Sequence, residues 1–171
     1  KVNLIDTPGD SNFIADTPAI LRVVDGIILV ISAVDGIQFY TEKVWNWATE
    51  QAIPKIIFVN KVDHEQADVK AVLESIKRKF KVSPFCVHAA VGTGEKFTGV
   101  IDVLSKKLYT YQKDESGKSK NEAVPDEMIE EVNFSFAELS ELVAEVDDEL
   151  TENYLENGEL SENEFDAGLK K

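Results

Sequence analysis

The chain has 171 residues, 43% of them hydrophobic and 29% charged, and a net charge of −14 from 32 acidic and 18 basic side chains. That describes a soluble globular protein of one domain, or one domain with a small appendage, whose core needs no covalent staples. So acidic a chain is a poor direct binder of non-specific nucleic acid, and with no apolar run of membrane-spanning length and no leader pattern, a cytoplasmic location away from membranes is expected.

Taken in chain order, Val2 to Ile5 reads as a short buried strand, followed by a loop and a helix near Pro18 to Val24. Gly26 to Ser32 is a near-continuous apolar run, the pattern of a parallel strand covered on both faces. The next helix carries Tyr40, Val44, Trp47 and Ala48 on one side; Trp45 and Trp47 straddle that face, so one is expected to pack and the other to be partly exposed. Pro54 punctuates, Lys55 to Val59 makes another strand, and the following helix aligns Val69, Val72, Leu73, Ile76 and Phe80. Three strands separated by helices predict an open parallel α/β sheet, in which ligands sit beyond the carboxyl ends of the strands.

Beyond Phe80 the pattern changes. Phe85 to Ala90 reads as a further strand, with the lone Cys86 expected inside it as a buried small hydrophobe. Gly92-Thr93-Gly94 is a turn, without the β-α-β surroundings of a nucleotide fingerprint. Gly99 to Val103 and Leu108 to Tyr111 suit a small antiparallel sheet, and Asp114 to Lys120 a polar turn. Ile129, Val132, Phe136, Leu139, Val143, Val146 and Leu150 alternate at spacings of 3 and 4, an a/d stripe of three heptads that suits a coiled-coil seam or, the favoured reading because the stripe then ends, one long helix laid on that sheet. Asn157-Gly158 suits a helix end, and Ser161 with Glu164 forms a capping box for a last helix, with Leu160 and Phe165 as its staple. The expected boundary falls within residues 81–92, dividing a partial α/β domain (1–82) from an α+β subdomain (83–171).

Two motifs sit where ligands are expected. Asp6-Thr7-Pro8-Gly9 follows the first strand and Asn60-Lys61-Val62-Asp63 follows the third. An Asp63 carboxylate can accept from both N1–H and N2–H of guanine, a donor pair adenine does not present. Asn60 can meet the other edge of the base or tie the loop, and the Lys61 stem can lie against the base face. Asp6 at a strand end is a hard oxygen ligand for Mg²⁺, through water, and Pro8-Gly9 lets a backbone N–H approach a terminal phosphate. D-x-x-G followed by N-K-x-D, each at a strand end, is the pairing of a GTPase. The 171 residues contain no G-x-x-x-x-G-K-[ST] phosphate loop, and the chain opens inside the strand that leads to Asp6. By itself it is therefore expected to bind guanine nucleotide weakly or not at all, without turnover.

The resemblance then becomes specific. Those two motifs, with Asp25-Gly26, Ser32-Ala33-Val34-Asp35-Gly36-Ile37, Thr41-Glu42 and Phe58-Val59, resemble the GTPase domain of the translational elongation factor G family. Lys96 to Asp102, Ala144 to Leu150 and Tyr154-Leu155 resemble the subdomain that this family inserts before its last guanine motif, so the likeness covers nearly the whole chain. It implies a P-loop-GTPase-type parallel sheet with an inserted α+β subdomain, GTP/GDP and Mg²⁺ as cofactors of the full-length protein, and a ribosome-associated GTPase that supports translocation or recycling. In the family a His that positions the attacking water follows Asp-Thr-Pro-Gly; here Asp10 stands there, implying slowed or altered hydrolysis. The family topology places the phosphate-loop strand between the strand ending at Asp6 and the one around Ile28. Without it the exposed apolar edge is a candidate surface for a dimer. A second reading is a protein-interaction module whose acidic helical part docks a ribosomal stalk protein.

Other residues carry no chemistry at this level. His64 is expected in a surface loop and His88 in a core or edge strand, neither with metal-ligand spacing. Asp147-Asp148-Glu149 reads as the solvated face of a helix.

Overall fold

The structure, a computed structural model, describes residues 1–9, 15–111 and 117–170. It divides into two compact units, Lys1–Pro84 with Thr93–Phe97 and Phe85–Gly92 with Thr98–Lys171. Each is built on its own sheet, the first of two strands and the second of four.

In the first unit the chain runs α1 (Thr17–Leu21), β1 (Ile27–Ser32), α2 (Phe39–Glu50), β2 (Lys55–Asn60) and α3 (Val69–Phe80). β1 and β2 are parallel and in register from Ile27 opposite Lys55 to Ser32 opposite Asn60. Leu29 and Ile31 of β1 turn inward and join Ile37, Val72, Ile76 and Phe80 in the main core. A smaller cluster gathers Leu21, Ala48 and Ile53. The two tryptophans of α2 divide between them. Trp45 stacks on Phe80 at 4.1 Å in the main core, while Trp47 covers the smaller cluster; each is half-buried. Asp68 caps α3 by accepting from the Ala71 N–H, and Lys77, Arg78 and Lys79 crowd its last turn, where positive charge meets the negative end of the helix dipole.

Three expectations for this unit are corrected. Val2 to Ile5 is not a strand: residues 1–9 form no regular element, and Val2 and Leu4 are each 86% exposed. A strand needs a neighbour to take up its N–H and C=O groups, and among the described residues β1 pairs only with β2. The parallel sheet of this unit therefore has two strands in place of three. Nor is β1 covered on both faces. Ile28, Val30, Ile56 and Phe58, two register pairs on one face, are between 55% and 65% exposed, while α2 and α3 cover the other face. The first helix is also shorter than predicted, ending at Leu21.

The second unit holds β3 (His88–Val91), β4 (Gly99–Asp102), β5 (Lys107–Tyr111) and β6 (Ser119–Ala123), an antiparallel meander in chain order, then α4 (Asp126–Ala144), α5 (Asp148–Asn157) and α6 (Glu162–Leu169). Ile101, Leu108 and Val132 form its core, flanked by Ala89, Val91, Val124 and Met128. The strand β6 takes in Ser119 and Lys120, read from sequence as part of a turn. Its residues Ser-Lys-Asn-Glu-Ala are all exposed, so no apolar alternation announces it, and pairing with β5 alone makes it a strand. Residues 114–116 of the predicted turn lie outside the described residues.

The long helix is two helices. Asp147 adopts an extended backbone and accepts from the Glu149 and Leu150 N–H groups, starting α5 afresh. Val132, Leu139 and Val143 of the stripe are buried on α4 and Leu150 on α5, whereas Val146, in the break, is exposed. Gly158 ends α5 in the left-handed region at φ +76°. Ser161 and Glu164 close the capping box as predicted. The Ser161 hydroxyl and amide, with Asn153, hold the Glu164 carboxyl below its usual range. Cys86 is exposed and not buried, because β3 begins only at His88 and leaves Cys86 in the segment before it.

Candidate nucleotide site

Because β1 and β2 are parallel and in register, their carboxyl ends, Ser32 and Asn60, lie side by side. The turn after β1 is built by one side chain. Ser32 Oγ accepts from the Val34 and Asp35 N–H groups and donates to Asp35 Oδ2 at 2.7 Å. Gly36 closes the turn at φ +65°, donating its N–H to the Ser32 carbonyl, a conformation that favours glycine. The Ser32 hydroxyl holds the Asp35 carboxyl below its usual range, and the Lys61 ammonium adds to this.

The loop after β2 carries the second motif and is pinned at both ends. The Asn60 carbonyl accepts from the Ala33 N–H at 2.8 Å, and the Asp68 N–H donates to the Ala33 carbonyl at 2.9 Å. The Asn60 Oδ1 accepts from the Lys61 N–H at 2.9 Å. Lys61 takes the left-handed conformation at φ +60°, and its Nζ lies 3.6 Å from Asp35 Oδ2. The His64 N–H donates to the Lys61 carbonyl, and the Gly94 N–H to the Val62 carbonyl at 2.9 Å. Asp63, at the tip, is exposed. Among the described residues, no hydrogen bond or ion pair engages its carboxylate, so both oxygens are open to a ligand. His64 is a surface loop residue, as expected, and its Nδ1 accepts from the Gln66 N–H.

The first motif is placed differently. Asp6, Pro8 and Gly9 are exposed on the irregular segment 1–9, and Thr7 is half-buried. A methyl group on Gly9 would meet nothing within 4 Å. Asp10 lies outside the described residues. The structure thus brings together Ser32, Asp35, Asn60, Lys61 and Asp63, and does not join Asp6, Pro8 and Gly9 to them in a strand-end cluster. Magnesium is usually held by one or two carboxylates plus phosphate oxygens. Among the described residues no group of three metal-ligating side chains exists, and the exposed Asp6 is one carboxylate of the kind that, with phosphate oxygens and water, would hold Mg²⁺.

Sequence reasoning assigned no role to Asp35 or to Gly94. The Ser-x-x-Asp spacing, which suits a side-chain-to-backbone turn, was the available signal for the first. For Gly94 no local signal exists, because its partners lie in the loop after β2.

No helix among the described residues is long and apolar enough to cross a membrane. The family described as "Elongation factor Tu GTP binding domain" matches residues 1–167. An elongation factor G of Thermotoga petrophila is 36% identical over the whole chain, as is one from another Thermotoga strain. In both cases the chain spans a quarter of the relative's length, 25%. A crystal structure of a protein from Thermus thermophilus superposes with a TM-score of 0.83 at 29% identity, covering 95% of this chain and 24% of that one.

Proposed function

Because the chain belongs to the elongation factor Tu GTP-binding domain family, we propose that its β2 loop reads the guanine of GTP and GDP, Asp63 accepting from the base while Asn60 and Lys61 set the loop's shape. The observation that carries this reading is the exposed Asp63 carboxylate, engaged by nothing among the described residues, on a loop anchored to Ala33 at both ends. In this reading the longer protein is a ribosome-associated translational GTPase that supports translocation or recycling; its relatives are named elongation factor G. Mg²⁺ binds there with the nucleotide's phosphates, and Asp6, Pro8 and Gly9 serve the phosphate end.

The test is equilibrium binding of fluorescent GDP to that longer protein, with unlabelled competitors. GTP and GDP are expected to displace the probe, and ATP to fail even at about 10²-fold excess, since a site built to hydrogen-bond specific donors rejects a ligand lacking them. Displacement by ATP and GTP alike overturns the reading.

For Asp10 the proposal is electrostatic. A carboxylate facing the terminal phosphate raises the cost of the negative charge that develops there, whereas an imidazole can orient the attacking water. Ribosome-stimulated phosphate release is therefore expected to be faster in Asp10→His than in the natural protein. Equal rates overturn the proposal.

A further inference from the structure

We propose that Gly94 is a positioning residue for guanine selection, holding the Asn60–Asp63 loop in place from a distant part of the chain; this rests on the reading of Asp63 as the base-contacting residue. The loop is anchored to Ala33 only at its two ends, Asn60 and Asp68. Between those anchors its Val62 carbonyl is held by the Gly94 N–H at 2.9 Å. Asp63 follows directly.

The support is tight and built of backbone. Gly94 is buried and sits at φ +59°, where side chains are disfavoured. A Cβ there would stand 3.3 Å from the Glu65 Cα, 3.4 Å from the His64 carbonyl oxygen and 3.7 Å from the Glu65 nitrogen. None of these atoms can swing aside as a side chain would. The residues on both sides of Asp63 therefore rest on one glycine, through the hydrogen bond to Val62 and the close approach to His64. The turn carrying it is closed by its own bonds, Lys96 N–H to the Thr93 carbonyl and Phe97 N–H to the Gly94 carbonyl. A rigid turn pressed on a loop fixes the height of the carboxylate at its tip. Displacements of about 1 Å are enough to cost on the order of 10²-fold where hydrogen-bond geometry decides the outcome.

The readout is the ratio of affinities for GDP and IDP in the longer protein. Hypoxanthine lacks only the 2-amino group, so this ratio reports whether Asp63 reaches the second donor. Gly94→Ala is expected to lower the ratio by about tenfold or more. Thr93→Gly, which adds no atom and loosens the same turn at an exposed residue, is expected to lower it in the same direction and less. Gly158→Ala is the control, since it shares the positive φ but has open space around it; the ratio is expected to stay unchanged. Because Thr93 is exposed and its replacement adds no atom to the turn, Thr93→Gly decides the matter if Gly94→Ala fails to fold. A GDP preference that survives in both turn variants overturns the positioning role while leaving the function of Asp63 standing. A natural protein that does not distinguish GDP from IDP overturns both.

Discussion

Replacing Asp63 with Asn is expected to weaken GDP binding by at least about 10²-fold and to move the preference of the longer protein towards xanthine nucleotides. The carboxylate has two acceptor oxygens and no donor, matching the N1–H and N2–H donors of guanine. A carboxamide keeps one acceptor but turns an –NH₂ towards the 2-amino group, donor against donor. Xanthine carries a carbonyl at that position and restores the match. Hydrogen bonds to a charged group contribute about 1.5–3 kcal/mol each, so losing one and opposing the pair accounts for the size of the effect. The change should leave folding intact, because Asp63 is exposed and engaged by nothing among the described residues. Competition binding with GDP and XDP measures it; an unchanged preference removes Asp63 from base recognition.

The largest stability effect is expected at Gly99, at the start of β4. It faces Thr110 across the β4–β5 ladder. A methyl group there would collide with the Tyr109 carbonyl oxygen and crowd Leu108 Cδ1 and Thr110 Cα, each at 3.2 Å. Relief requires prising β5 away from β4, which breaks ladder hydrogen bonds and disturbs the packing of Ile101 and Leu108. Gly99→Ala should cost about 2–4 kcal/mol. Hydrogen exchange over residues 99–111 measures the loss; protection equal to that of the natural chain contradicts the collision. The two tryptophans lie in the other unit, so their fluorescence should not follow the change.

Much of the fold was legible, for reasons that differ by element. β1 and β2 follow from apolar runs of strand length, although their one-sided burial does not, and α2 and α3 follow from helical spacing of their apolar residues. The last helix was legible to its first residue because the Ser161–Glu164 capping box is local chemistry. What failed depended on partners. Val2 to Ile5 has strand composition, but composition supplies no neighbour for its backbone. β6 has no apolar residue beyond Ala123 and exists through its pairing with β5. The heptad-like stripe ran unbroken from Ile129 to Leu150, yet Asp147 ended one helix and began another, its cap prevailing over a pattern that two helices satisfy as well as one. At the site the four letters of Asn-Lys-Val-Asp identified the loop, and the conformation of Lys61 and the tie made by Asn60 are local too. Its support from Gly94 is non-local and had no trace in the motif.

That support has a consequence for how the polypeptide is made. The first unit is interrupted in sequence: Lys1–Pro84 belongs to it, Phe85–Gly92 does not, and Thr93–Phe97 belongs to it again. Synthesis proceeds from the N-terminus at about 5–20 residues per second, and domains commonly fold as units while they emerge. Here the β2 loop cannot be completed when the last helix of its own unit, α3, is out. It waits until residue 94 has appeared, by which time β3 has emerged without its partner strand, β4. The two units thus mature in an interleaved order, each briefly holding an unsatisfied backbone group that only the next stretch of chain can satisfy.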